Sequence, residues 1–470
     1  MLNDTRSGRI MAPEFLQGLI ETLTQRGRAV LGMKPERGAG QDHDLEVLGE
    51  ALLSRRGEAS GVAIAQSLLA AFERADEPQR LKFLASLADR FGPDRRSIEL
   101  AIADYQRKEG GDYTKLEALH AAAEPRRQEL IRRLNLSPGG TASLVHVREV
   151  LLSLLREHPE LQPVNDDFVH LFSSWFNRGF LVLRPIDWNT SANILEKIIK
   201  YEAVHAIQDW DDLRNRLEPA DRRCYAFFHP QLIDEPLIFV EVALTKEIPG
   251  AIGPLLDKSR QAIVAHEATT AVFYSISNTQ KGLAGVTFGN FLIKQVVQDL
   301  ARELPNLKTF VTLSPVPGFA GWVKRELKAE ASVAIDEETR RVLSALDDGG
   351  DIEQAREAIT SLAAYYFLRA KLPSGKPLDP VARFHLGNGA RLERLNFLGD
   401  GSGKGMKQSY GLMVNYLYAL DHIEANHEAF AEHGTVVASD KVKKLLRAKL
   451  SSRELVPSAQ SNNSQRKISS

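Results

Sequence analysis

Three places in the 470-residue chain hold residue types that could do chemistry: Ser314, His385 and a glycine-rich stretch from Asn278 to Gly289. Ser314 closes Lys308-Thr-Phe-Val-Thr-Leu-Ser314, which reads as a strand, and ligands often sit at strand ends in open sheets. A serine there could be a nucleophile or a hydrogen-bond donor. His385 lies in Asp379-Pro-Val-Ala-Arg-Phe-His-Leu-Gly-Asn-Gly389, and imidazole, titrating near neutrality, suits general acid work. Gly282, Gly285 and Gly289 would let backbone approach a ligand, and the helix behind them offers unpaired N–H groups to a phosphate.

Each has a plainer alternative. Ser314 is not in Gly-x-Ser-x-Gly, and residue 315 is proline, which lacks the N–H that a nucleophile elbow uses for its oxyanion hole. A serine ending a strand before a Pro-rich turn is the stronger local reading. The Gly and Asn after His385 predict irregular, exposed backbone, and locally a packed or surface histidine is the stronger reading. The glycine-rich stretch has neither the Walker Gly-Lys-Ser/Thr nor the dinucleotide spacing, so a mere connecting loop is as good a reading. No His-Glu-x-x-His or other metal-like spacing involves His205, His229 or the rest, so no metal site is expected.

These residues need elements to position them. Residues 1 to about 165 read as helix after helix: Glu14–Leu31, His43–Arg56, Gly61–Ala75, Pro78–Phe91, Pro93–Arg107, Thr114–Leu134 and Ala142–Glu157. Pro93 suits the first turn of its helix. After Asp166 strand-like runs appear at Gly179–Arg184, Tyr225–His229, Leu237–Leu244, Thr270–Ser277 and Lys308–Ser314. Amphipathic segments interleave with them, including the one with Leu292, Val296, Leu300 and Leu304 on one face. Residues 330–372 revert to helix, Val414–Glu424 reads as helical, and the polar tail from Ser451 to Ser470 reads as disordered. The class is α+β, with a helical bundle ahead of a mixed domain.

With 60 basic and 61 acidic residues there is no global field to attract nucleic acid or anionic lipid. One cysteine, Cys224, leaves no intrachain disulfide and fits a reducing compartment. No run approaches a membrane span, and Met1–Phe15 has no apolar h-region. The expected location is the cytoplasm.

Taken in order, Ser174-Trp-Phe-Asn-Arg-Gly-Phe-Leu181, Arg222-Arg-Cys224, Phe273-Tyr-Ser-Ile-Ser277, Gly285-Val286, Ser314-Pro-Val-Pro-Gly-Phe319, Phe384-His-Leu-Gly-Asn-Gly389 and Asn415-Tyr-Leu-Tyr418 resemble malonyl-CoA decarboxylase. A run of ordered motifs from about residue 170 to 420 is far more specific than any single one. The resemblance implies a helical oligomerisation domain (1–168), a catalytic domain of GNAT-like acetyltransferase fold (169–450) and a tail (451–470). It implies that Ala284, Gly285, Val286, Thr287, Phe288, Gly289 and Asn290 hold CoA. It makes Ser314 and His385 the catalytic pair, proton acceptor and proton donor, with Ser275 and Tyr418 as further polar groups of the active site.

Thr287 stands where some members carry glutamate, so a role for that carboxylate does not transfer. The ending Lys467-Ile-Ser-Ser470 is not the peroxisomal address of some members. The implied reaction, malonyl-CoA to acetyl-CoA and CO2, needs no cofactor, because CoA is part of the substrate and its thioester is already an electron sink. The expected partners are malonyl-CoA and further copies of this chain, with no nucleic acid and no membrane. Two other readings stay open: an acyltransferase that uses the same CoA site, and an inactive CoA-binding or scaffold protein.

Overall fold

Local capping chemistry divides the first third of the chain. The computed structural model describes residues 44–54, 57–107, 112–286, 292–329, 332–347 and 349–446. Glu14–Leu31, Thr287–Asn290 and the tail lie outside them. Helices run Leu45–Leu53, Glu58–Arg74, Glu77–Ala88, Arg95–Gln106, Tyr113–Ala123, Arg126–Asn135, Gly140–Leu154 and Gln162–Trp175. Asp76 and Gln79 form a reciprocal capping box that starts the third of these. Pro93 lies outside its helix rather than in the first turn, because Asp94 takes the cap by accepting from Arg96 N–H. The single helix expected over Thr114–Leu134 is two, broken at Pro125. Phe72, Phe83, Phe91, Phe168 and Phe172 lie in its core, none more than 2% exposed.

Two compact units result. The helical one comprises residues 1–180 together with 229–233 and 280–287, so the boundary expected after 168 falls inside the helix Gln162–Trp175. The other holds 181–228, 234–279 and 288–470.

The second unit is built on a mixed sheet: β1 (Val182–Ile186), β2 (Arg222–Phe228), β3 (Pro236–Thr245), β4 (Thr270–Asn278), β5 (Thr309–Thr312), β6 (Ser314–Pro315), β7 (Arg391–Asn396) and β8 (Met413–Leu417). The order is β1-β2-β3-β4-β5-β8-β6, with β7 also on β8. β1 to β4 are antiparallel neighbours; β4 and β5 pair in parallel from Thr270↔Thr309 to Phe273↔Thr312. They then part, β4 continuing beside β3 to Asn278 while Ser314 and Pro315 pair with β8. The parting separates two strands at the middle of a sheet, a place where ligands often bind.

Helices Ala192–Tyr201 and Trp210–Leu217 seal one face: Ile194, Leu195, Ile198 and Leu213 pack on Cys224, Ala226, Phe228 and Phe239. The class is α+β as expected, a helical part ahead of a mixed sheet.

Two further expectations fail. Val414–Glu424 is not a helix: residues 413–417 form β8, held between β5, β6 and β7. Its β-branched and aromatic residues are buried by that pairing, which local spacing could not reveal. Residues 178–180 are a 3-10 turn, and strand β1 begins only at Val182.

Candidate active site

His385 is neither exposed nor on irregular backbone. It lies in the last turn of the helix Pro380–Gly387 and is 3% exposed. Asp379 caps that helix, its side chain accepting from Ala382 N–H, with Pro380 in the first turn. The glycine and asparagine after His385 serve as a C-cap: Asn388 N–H reaches the Phe384 and His385 carbonyls, and Gly389 takes φ +82°.

β8 supplies the facing wall. The Tyr416 ring stacks on the His385 ring at 4.7 Å and 25°. One residue beyond the strand, Tyr418 brings its hydroxyl 2.8 Å from His385 Nδ1. On the other side of the ring, His385 Nε2 is 3.2 Å from Ser314 Oγ, and Ser314 Oγ–H donates to Thr312 Oγ1 at 2.9 Å. Tyr418, His385, Ser314 and Thr312 are each 5% exposed or less. Three of the four named catalytic residues are therefore in one buried hydrogen-bonded chain.

Burial sets the charge state. Without a counter-charge, desolvation pushes His385 from the ordinary 6.5 down to about 3, so the ring is neutral at pH 7. The same cause pushes the Tyr418 phenol up, so it too stays neutral. The near-neutral titration expected of His385 is thus absent. Asp379 is raised to about 6 by burial, against the Ala382 N–H that holds it down. Its Oδ2 has no hydrogen-bond partner among the described residues.

Ser275, the fourth, makes its hydrogen bonds elsewhere. Its hydroxyl lies 2.9 and 2.7 Å from the two oxygens of Glu202, which also accept from Ser277 Oγ and from the N–H groups of Val204 and His205. Glu202 caps the end of the helix Ala192–Tyr201. Nearby, Arg216 binds Asp212 and Glu241, and the Glu241 carboxyl is raised to about 7 by burial and by Glu202, against the pull of Arg216.

Of the residues expected to hold CoA, Ala284, Gly285 and Val286 are described. Gly285 has φ +77° with open space where a Cβ would stand, which suits close approach of a ligand. Gly282 has a different reason: a Cβ there would lie 1.9 Å from the Val145 carbonyl oxygen of the helix Gly140–Leu154. From that helix the buried Arg148 donates to the Gly282 and Ala284 carbonyls at 2.6 and 2.7 Å, steadied by Asn165 at 3.1 Å. Within the helical unit this segment is a clamped loop.

Sequence reasoning missed Thr312, Glu202, Arg148 and Asn415. Asn415 Nδ2 donates to the Thr312 carbonyl at 2.7 Å, while its Oδ1 accepts from Arg394 and Asn396. A polar residue inside a run with strand composition was the available signal for Thr312 and Asn415. For Arg148 there was none, since its partners are backbone carbonyls more than 130 positions away. Among the described residues no cluster of His, Cys, Asp and Glu could hold a metal ion, and no helix is long and apolar enough to cross a membrane.

The family models for the malonyl-CoA decarboxylase N-terminal and C-terminal domains match residues 91–176 and 179–456. The mitochondrial malonyl-CoA decarboxylase of Anser anser anser is 33% identical over 400 residues, covering 77% of this chain and 79% of that one. The crystal structure of malonyl-CoA decarboxylase from Rhodopseudomonas palustris is 62% identical at a TM-score of 0.83, covering 86% of this chain and all of that one. The Agrobacterium vitis enzyme is 57% identical at 0.81, with the same coverage. Both domain models and relatives of one kind match over most of the chain, and this chain belongs to the malonyl-CoA decarboxylase family.

Proposed function

We propose that this protein decarboxylates malonyl-CoA to acetyl-CoA at the group formed by Ser314, His385 and Tyr418. The observation that carries the assignment is the buried chain Tyr418–His385–Ser314, a neutral donor system beside the point where β4 and β5 part. The bond between the malonyl carboxylate and the methylene carbon breaks, CO2 leaves, and the electron pair spreads into the thioester carbonyl as an enolate. Donors aimed at the enolate oxygen lower the barrier, and a proton must then reach carbon.

A neutral imidazole is the right donor for a dry site. It directs an N–H at developing negative charge without first having to lose a charge of its own to solvent. The enolate carbon is a stronger base than imidazolate, so transfer from a neutral ring runs downhill. Tyr418, kept protonated by burial, steadies Nδ1.

The polarity of the serine supports a non-covalent role. Its proton points to Thr312, so the histidine is not poised to remove it, and Pro315 offers no N–H. Gly285 and its neighbours are assigned to CoA, held by Arg148 from behind. Ser275 takes a supporting part through Glu202. No metal or prosthetic group enters this account, and turnover is expected to survive exhaustive chelation.

The defining experiment is incubation with malonyl-CoA alone: CO2 and acetyl-CoA should appear in equal amounts with no second substrate. Absence of CO2 would sink the reading. We further propose that the protein works in the cytoplasm as a homo-oligomer assembled through its helical part. Light scattering on residues 170–450 should then give fewer protomers than the full chain, and an unchanged number would refute it.

A further inference from the structure

We propose that Thr312 is the positioning residue for Ser314: its Oγ1 takes the serine proton and thereby selects the Nε2–H tautomer of His385. The proposal rests on the assignment of Ser314 and His385 just made, and carries it one residue further.

Thr312 is wholly buried at the end of β5, in register with Phe273 of β4. Its carbonyl receives Asn415 Nδ2 at 2.7 Å and its Oγ1 receives Tyr416 N–H at 3.1 Å. A β-branched side chain has little χ1 freedom, and a backbone N–H can only donate. One lone pair of Oγ1 is therefore claimed by β8, and the other faces Ser314 Oγ at 2.9 Å.

A serine hydroxyl has one proton and two lone pairs. With its proton given to Thr312, Ser314 can only accept from His385 Nε2, 3.2 Å away. A neutral imidazole has one donor and one acceptor nitrogen. Nε2 must then carry the hydrogen, and Nδ1 accepts from the Tyr418 hydroxyl at 2.8 Å. The polarity runs one way along the whole chain: Tyr418 to His385 to Ser314 to Thr312. The catalytic consequence is an N–H, rather than a lone pair, on the ring nitrogen beside Ser314.

Removing the acceptor while keeping the shape reverses the chain. In Thr312→Val the serine proton has His385 Nε2 as its nearest remaining acceptor. The ring would then adopt the Nδ1–H form and donate to the Tyr418 oxygen. In Thr312→Ser the acceptor oxygen is kept.

The test uses the full-length protein labelled with 15N-histidine, the His385 signals being those lost in His385→Asn. The expected states are Nε2–H in the parent protein, Nδ1–H in Thr312→Val, and Nε2–H again in Thr312→Ser. Turnover of Thr312→Val should fall about 10- to 100-fold, the lower part of what positioned acid catalysis supplies, with KM changed less than about threefold. Thr312→Ser should recover most of it. In a Ser314→Ala background, adding Thr312→Val should cost less than about twofold, because Thr312 acts through that serine.

An Nδ1–H ring in the parent protein, an unswitched ring in Thr312→Val, or equal losses in both backgrounds would each overturn the proposal. The parent measurement needs no variant, so it decides even if Thr312→Val fails to fold. Should Ser314→Ala keep full turnover, the functional assignment fails, while the ring tautomer still judges Thr312.

Discussion

Acid should destabilise this protein in part through His385. The ring is 3% exposed, and burial takes it from 6.5 to about 3. A histidine whose folded value is depressed contributes stability that is present above its unfolded value and is lost as pH falls toward the folded one. At pH 5.0 the unfolded ring is almost fully protonated and the folded ring is not. The unfolded state therefore gains about 1.36 kcal/mol for each of roughly 1.5 units, or about 2 kcal/mol relative to pH 7.5.

His385→Asn removes the titrating group. It will lower stability outright by breaking the bonds to Ser314 and Tyr418, and that offset is common to both pH values. The quantity to read is the loss between pH 7.5 and 5.0, from urea unfolding followed by tryptophan fluorescence. That loss should be smaller in His385→Asn by about 2 kcal/mol. Equal losses in the two proteins would mean that folded His385 takes up its proton at an ordinary pH, and the neutral-donor account would fall.

Ser314→Ala should lower turnover on the order of 10²–10³-fold, the scale of one oxyanion donor, with CoA binding largely kept. Intact-mass measurement of the parent enzyme during turnover should show no acyl adduct; a malonyl or acetyl mass on Ser314 forming at the turnover rate would refute the non-covalent role. Asp379→Asn keeps a good N-cap and removes a carboxyl raised to about 6, whose ionisation costs stability as pH rises from about 4 through 6. It should therefore be more stable than the parent by roughly 1–3 kcal/mol at pH 7.5 and no more stable at pH 4; a destabilised variant at pH 7.5 would reverse the argument. Gly282→Ala drives a methyl against the Val145 carbonyl and should raise KM for malonyl-CoA well before it lowers kcat. An unchanged KM in a folded variant would remove Gly282 from the clamp.

The sequence exposed the parts of the fold whose cues are local. Helix periodicity with Asp caps, the β-branched runs of β3 and β4, and the strand–loop–helix order after Thr270 all lie within a dozen residues of their causes. The misreadings have two causes, contacts distant in sequence and one local signal misread. Val414-Asn-Tyr-Leu-Tyr418 has apolar residues at spacings that suit a helix or a strand, and only pairing with β5, β6 and β7 decides between them. His385 was misplaced because Gly-Asn-Gly was read as exposed loop, although Asp379-Pro380 ahead of it and glycine behind it are the start and stop signals of a short helix. Gly282 looked like a ligand glycine because nothing local announces the Val145 carbonyl.

The two serines that the resemblance places in the active site differ in the structure through their acceptors. Ser275 gives its proton to a carboxylate that has four donors aimed at it, two hydroxyls and two backbone N–H groups. Ser314 gives its proton to a neutral threonine oxygen. Hydrogen bonds to an ionised acceptor are roughly twice as strong as neutral ones. A substrate carboxylate or enolate oxygen can therefore draw the Ser314 proton from Thr312, gaining a charged acceptor in exchange for a neutral one. At Ser275 the exchange would replace one carboxylate by another and leave Glu202 short of a donor in a buried setting. Ser314 is the serine free to turn toward the reacting group, and Ser275 is the one fixed to the scaffold beneath it.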